Sequence, residues 1–407
     1  NKYGSHKNCK ININILDLRN KDVINFKLNN IPNKLITTKE LRPYQIQAIS
    51  SFLRSEGMGF LEIATGGGKT LITAEIIRRL KTSTLWIIDK KELLTQTKKV
   101  FEEVLGIEIG VIGAGVFNPK SITVATIQSL NSKMKDLDED LLKYLSSVNF
   151  AIVDEFHHSA AVSYENVFRG LINTKYRLGT TATARREDGK EPIMFSLVGD
   201  LIYQINSAEL IRQGYLMQPK IIFHKIEEKI DFKLEIAKET KRMVTKVEYS
   251  DEYKIGITNN VERNNKIIEI VNNNVDKKML IITKHIVHGE YLNEKIPEAN
   301  YIHGSLDSKK RKEYYENFVN NDKGILIATT SIASEGLDIP DLQMIINASA
   351  NKSDVKSIQA LGRILRKING KNNAEYIDFL DLGKYGKKHS NMRLKIFKEE
   401  GYEVEVL

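Results

Sequence analysis

Ala64-Thr65-Gly66-Gly67-Gly68-Lys69-Thr70 is the stretch on which the fold turns. It follows a short apolar run, 59–64, and opens an amphipathic one, 70–80. The first run is apolar throughout, as in a strand buried on both faces; the second has helical periodicity. Three glycines let backbone N–H groups curl around an anion with no Cβ in the way, and the helix N-terminus adds partial positive charge. In that setting Thr65, Gly66, Gly67 and Gly68 cradle phosphates, Lys69 reaches the outer ones, and Thr70 offers its hydroxyl to Mg2+. The strict pattern asks for glycine at position 63, where this chain has Ile63. A bare Gly-Lys-Thr is a weak signal; the strand–loop–helix context carries the expectation of ATP and Mg2+ as cofactors.

Working outward, similar Ile/Val/Leu-rich runs recur at 84–89, 121–125, 150–153 and 176–180. A second set lies at 278–283, 299–302, 324–328, 344–347 and 375–380, with helical patterns such as 308–320 between members. Strand–helix alternation predicts right-handed βαβ units, hence an α/β protein with two doubly wound parallel-sheet domains in tandem. The length of 407 residues fits two domains and a small appendage, at roughly 100–200 residues per domain. Pro219 marks a boundary. The expected division is 1–39, a small accessory element with 11–16 and 23–28 as the arms of a β-hairpin; 40–218, a nucleotide-binding domain; and 219–407, a second domain that includes a charged linker at 225–261.

Two further constellations complete a phosphate-transfer site. Val153-Asp154-Glu155-Phe156-His157-His158 ends a buried run, where ligand sites of α/β sheets lie. Asp154 is expected to hold Mg2+ and Glu155 to orient or deprotonate the attacking water. An Asp-Glu pair at a strand end is ordinary on its own; the phosphate loop upstream gives it meaning. His157 and His158 lack a third ligand at recognisable spacing and are not read as a metal site. Far downstream, Gln359-Ala360-Leu361-Gly362-Arg363-Ile364-Leu365-Arg366 sets Arg363 and Arg366 three apart, with Gln359 four before Arg363. Guanidinium groups on one helical face suit the charge of a γ-phosphate, although a basic surface helix is the ordinary alternative.

Composition bounds the partners. Lys and Arg number 61 against 52 Asp and Glu, a net charge of +9, which favours polyanions but also describes many solvated surfaces. Hydrophobic residues at 41% and charged residues at 28% exclude a mostly disordered chain. The single cysteine, Cys9, excludes an internal disulfide framework and a Cys-based zinc cluster. No apolar run approaches the ~18 residues of a membrane helix, and the polar first ten residues carry no signal-peptide pattern. A cytoplasmic location and no membrane partner are expected.

The order of motifs resembles that of superfamily 2 helicases and translocases with two RecA-like lobes, over about Leu41 to Leu380. Leu41-Arg42-Pro43-Tyr44-Gln45-Ile46-Gln47 is similar to the family's adenine-contacting motif, with Arg42 and Gln45 as candidates. The phosphate loop is motif I, which in that family tolerates a first residue other than glycine. Ile88-Asp89-Lys90-Lys91-Glu92-Leu93 resembles motif Ia, Thr126-Ile127-Gln128-Ser129-Leu130 motif Ib, and Asp154 to His157 a D-E-x-H motif II. Thr181-Ala182-Thr183 resembles motif III, Ile282-Thr283-Lys284-His285 motif IV, and the run Ala328 to Pro340 motif V. By this resemblance Gly336 and Asp338 help close the nucleotide site, Arg363 and Arg366 act as arginine fingers, and Gln359 contacts the γ-phosphate or its water. It also implies nucleic-acid contacts from Lys90, Thr126, Gln128, Lys284, His303, Thr329 and Thr330. Arg186-Glu187-Asp188, the segment Ser207 to Leu216, and Asn260 to Arg263 resemble XPB-like and phage UvsW-type chains. That likeness implies an ATP-dependent DNA helicase or branch-migration motor on single-stranded, forked or branched DNA, monomeric on DNA and working beside replication or recombination proteins. An RNA helicase, a restriction-complex motor and an ATP-gated clamp are the alternatives.

Overall fold

The computed structural model describes Ile24, Phe26 and residues 31–37, 40–156, 162–182, 191–241, 243–334, 337, 339, 341–352, 361–362, 364–365 and 374–407. Two β-sheets succeed one another along the chain. The first contains β1 (Met58–Ile63), β2 (Thr84–Ile88), β3 (Gly110–Gly113), β4 (Val116–Asn118), β5 (Ile122–Thr126), β6 (Phe150–Val153), β7 (Tyr176–Thr181) and β8 (Leu201–Ile205). Its spatial order is β4-β3-β5-β2-β6-β7-β1-β8, parallel except for the β3–β4 pair. The second contains β9 (Lys220–Lys225), β10 (Lys278–Thr283), β11 (Ala299–Ile302), β12 (Gly324–Thr329), β13 (Met344–Asn347), β14 (Glu375–Leu380) and β15 (Val404–Val406). Its order is β11-β12-β10-β13-β14-β9-β15, parallel throughout. Both are α/β lobes of the RecA-like kind.

Burial explains the unbroken apolar runs. In β2, Trp86 and Ile88 enter one apolar cluster while Leu85 and Ile87 enter another on the opposite face. In β10, Leu280 and Ile282 face one cluster, and Met279 and Ile281 the other. Side chains alternate across a strand, so covering both faces demands apolar residues at every position. One cluster runs from Ile63 and Ile72 of the first lobe through Leu210 and Leu216 to Leu361 and Leu365, joining the lobes.

Strands β3, β4, β8, β9 and β15 fall outside the runs expected from sequence. The charged stretch after β9 holds the helices Phe232–Thr240 and Tyr249–Tyr253 and a π-helical turn, Lys254–Thr258. The expected hairpin arms 11–16 and 23–28 lie outside the described residues, save Ile24 and Phe26, which are in no strand.

Behind the carboxyl end of the second sheet sits a buried ionic quartet. Arg393, on the helix Gly383–Glu399, donates from Nε and Nη2 to both oxygens of Asp378 at 2.9 and 2.8 Å, and from Nη2 to Asp381 at 3.2 Å. Arg263 donates from Nε to Asp381 at 2.8 Å. All four side chains are fully buried. Two cations facing two anions leave no net charge in the core. Nearby, His288 is buried with Nε2 2.9 Å from Asn264 Oδ1.

Candidate active site

The phosphate loop grows from the carboxyl end of β1, between β7 and β8. Ala64 N donates to the Ile205 carbonyl at 3.0 Å and Gly67 N to the Ala64 carbonyl at 2.9 Å, which bends the chain back before the helix Lys69–Leu80 begins. Gly66 and Gly68 have φ of 82° and 79°, the left-handed region where glycine is unstrained. Gly67 is needed for space: a Cβ there would stand 2.6 Å from Ile63 Cγ2. The helix has no side-chain N-cap, so its first-turn N–H groups and dipole are directed at the loop.

The segment before the first lobe's sheet braces this loop. Tyr44 Oη and Gln45 Nε2 donate to the Gly67 carbonyl at 2.8 and 3.2 Å, and Gln45 Oε1 accepts from Arg42 N at 2.9 Å. The Arg42 guanidinium lies 4.7 Å from the centre of the Tyr215 ring, which packs on Tyr44 at 5.3 Å. Gln45 thus touches the loop and Arg42 lies next to it through Tyr44 and Tyr215. Tyr215 belongs to the segment Ser207 to Leu216, in which the sequence assigns it no role of its own.

Motif II meets the loop across β7 and β1. Lys69 Nζ donates to Glu155 Oε1 at 3.3 Å. Asp154 Oδ1 accepts from Thr180 Oγ1 at 2.9 Å and from Glu155 N at 3.0 Å. Burial first, then the Glu155 charge, pushes the Asp154 carboxyl above the usual carboxylate range. A hard divalent cation would reverse that cost, and Asp154 with the Thr70 hydroxyl supplies the oxygen donors such a cation takes beside phosphates. Glu155 has φ of 45°, a left-handed conformation for a non-glycine residue, worth on the order of 1 kcal/mol of local strain. Among the described residues no three His, Cys, Asp or Glu side chains converge as a metal site.

The second lobe reaches the same loop. A Cβ on Gly362 would stand 2.4 Å from Thr65 Cβ, so Gly362 packs its backbone against the phosphate loop. Met217 N donates to the Leu365 carbonyl at 2.8 Å. Gln359, Arg363 and Arg366, on either side of these contacts in sequence, lie outside the described residues, as do Gly336 and Asp338.

The expected nucleic-acid residues cluster at the carboxyl edges of both sheets. Lys90 follows β2, and Gln128 donates from Nε2 to the Asp89 carbonyl at 2.6 Å. Lys284 follows β10, His303 follows β11 and stacks on Tyr301 at 4.8 Å, and Thr330 opens the helix Thr330–Ser334. Two are nearly buried. Thr126 is 2% exposed and its hydroxyl caps the following helix by accepting from Ser129 N, and Thr329 is 4% exposed and bonded to Ser331 Oγ at 3.0 Å. Both end a strand, and each hydroxyl is bonded to a serine two or three residues on.

Comparison with known proteins gives the class. Residues 38–186 match the family described as type III restriction enzyme, res subunit, and residues 262–367 match the helicase conserved C-terminal domain. The chain is a superfamily 2 helicase with two RecA-like lobes, an ATP-hydrolysing enzyme that acts on nucleic acid. It is 27% identical to a DNA 3'-5' translocase XPB2 from Sulfurisphaera tokodaii, over 90% of this chain and 85% of that protein. It is 24% identical to the ATP-dependent DNA helicase uvsW of Enterobacteria phage T4, over 88% and 72%. Its fold is similar to the DNA-bound type ISP restriction-modification enzyme LlaBIII, with TM-score 0.65 and 17% identity, covering 91% of this chain and 31% of that one. It is also similar to S. cerevisiae Dbp5 bound to RNA and ADP BeF3, with TM-score 0.63 and 16% identity, covering 91% and 90%. No helix among the described residues is long and apolar enough to cross a membrane.

Proposed function

We propose that this helicase is a DNA motor, one that couples ATP hydrolysis to movement on forked or branched DNA in replication, recombination or repair. The observation that carries the chemistry is the convergence of Lys69, Glu155 and Gly362 on one loop from both lobes. The relatives whose names specify DNA support the substrate. Asp154 and Thr70 would hold Mg2+, which supplies charge neutralisation on the transferred phosphoryl group. Lys69 is paired to Glu155 at 3.3 Å. The outer phosphates of ATP compete for the Lys69 ammonium, and its departure frees the Glu155 carboxylate to take a proton from the attacking water. Arg363 and Arg366 would stabilise the developing charge from the second lobe, with Gln359 beside the water. Closure on ATP and opening after hydrolysis shift the lobes between two arrangements while Lys90, Gln128, Lys284, His303 and Thr330 hold phosphates. Such contacts carry little sequence information, so binding is expected to be indifferent to sequence.

ATP turnover measured without nucleic acid and with single-stranded, duplex and forked DNA and RNA tests this reading. DNA should stimulate strongly, and Lys69→Ala should abolish turnover. Stimulation by RNA alone would make the enzyme an RNA helicase. DNA binding without turnover would make it a clamp.

A further inference from the structure

Cations and aromatic rings meet on the second lobe, at the carboxyl end of β10. Lys284 passes its ammonium between the rings of Tyr249 and Tyr253, 4.8 and 4.7 Å from their centres, and donates to Tyr249 Oη at 3.0 Å. Tyr249 in turn meets Tyr385 at 5.6 Å and His389 at 5.5 Å, both from the first turns of the helix Gly383–Glu399. That helix carries Lys384 and Lys388, both exposed and four apart, hence on one face. Lys384 Nζ lies 5.6 Å from the Tyr385 ring centre. Burial, then Arg393, Lys352, Lys388 and Lys284, hold His389 below the ordinary imidazole value, which marks a convergence of positive charge.

Two neighbouring carboxylates are already engaged. Glu252 accepts from the backbone N–H groups of Lys384, Tyr385 and Gly386 at 2.9, 2.6 and 2.8 Å, so it occupies the helix N-terminus. Glu248 pairs with Lys246 at 2.9 Å. Lys387 lines a separate groove with Glu227 and Glu228 and does not belong to the set.

We propose that Lys284, Lys384 and Lys388, set around Tyr249 and Tyr385, form a surface that holds the phosphate backbone of a nucleic-acid strand. The proposal rests on the nucleic-acid reading above and extends the footprint from the sheet edge onto an outer helix that no motif covers. Ammonium groups beside aromatic rings are the chemistry that tracks a strand: the cations take phosphates and the rings offer apolar contact to sugars and bases. The tyrosine cage holds Lys284 in place before a strand arrives, which lowers the entropy lost on contact.

The test is the salt dependence of binding to a fluorescent forked oligonucleotide. In Lys384→Ala/Lys388→Ala the slope of log affinity against log salt should become shallower by about 1.4–1.8, the loss of two phosphate contacts. Lys384→Arg/Lys388→Arg should keep the wild-type slope. Lys295→Ala/Lys323→Ala, an equal charge change at the opposite edge of the sheet, should also keep it. Thermal melting establishes that each variant is folded. An unchanged slope in the alanine pair, or an equal loss in the control pair, overturns the surface while leaving the motor intact. Failure of the wild type to bind any oligonucleotide overturns the nucleic-acid reading and this surface with it.

Discussion

At the scale of single residues, Glu155 and Gly362 separate binding from turnover. Glu155→Gln keeps the shape of the side chain and removes the base. ATP should still bind, while turnover falls by about 10²–10⁴-fold, as read by nucleotide titration beside single-turnover kinetics. Equal loss of binding and turnover would make Glu155 a structural partner of Lys69 instead. Gly362→Ala adds a methyl group 2.4 Å from Thr65 Cβ, where neither backbone can yield freely. The second lobe must then back away from the phosphate loop. Turnover should fall by roughly 10²-fold, since a displacement near 1 Å is enough to spoil reacting geometry. Thermal melting that matches the wild type would show the fold unharmed.

At the scale of elements, the helix Gly383–Glu399 is tied into the second lobe by charge. Arg393→Met would leave Asp378 buried without its bidentate partner and should cost about 3–5 kcal/mol in denaturant unfolding. His288 adds a pH dependence. Burial, then Arg263 and His285, push its imidazole down to about 3, whereas the unfolded chain takes up that proton near the ordinary value of about 6.5. Between those values the unfolded state holds more protons, so stability is full above about pH 6.5 and drains away as pH falls toward 3. The total is on the order of 3–5 kcal/mol. Subtracting the stability profile of His288→Gln isolates it; identical profiles would refute the assignment.

At the scale of the molecule, what could be read beforehand followed from local pattern. The strands at 150–153, 278–283 and 375–380 were legible because burial on both faces forces an apolar run, and the loop at Gly66–Lys69 because its shape needs glycine. Strands β8 and β15 were not, since edge strands mix polar and apolar positions and β15 is three residues with Glu405 between two valines. Pairing across the chain was equally hidden: no local pattern joins Arg263 to Asp381, 118 residues further on, and nothing in Thr126 or Thr329 announces that the side chain is nearly buried. The place of β9 has its own consequence. It is the first strand of its lobe along the chain, yet its sheet neighbours are β14 and β15, at residues 375–380 and 404–406. On a ribosome adding roughly 5–20 residues per second, Ile221, Ile222 and Phe223 wait on the order of ten seconds or more for partners. A chain released before residue 375 should therefore present an unpaired apolar edge and enter the insoluble fraction of a fractionated lysate, while one ending at residue 218 should stay in the supernatant. During that wait the half-made enzyme depends on chaperones, or on the first lobe's own surface, to keep β9 from pairing with another nascent chain.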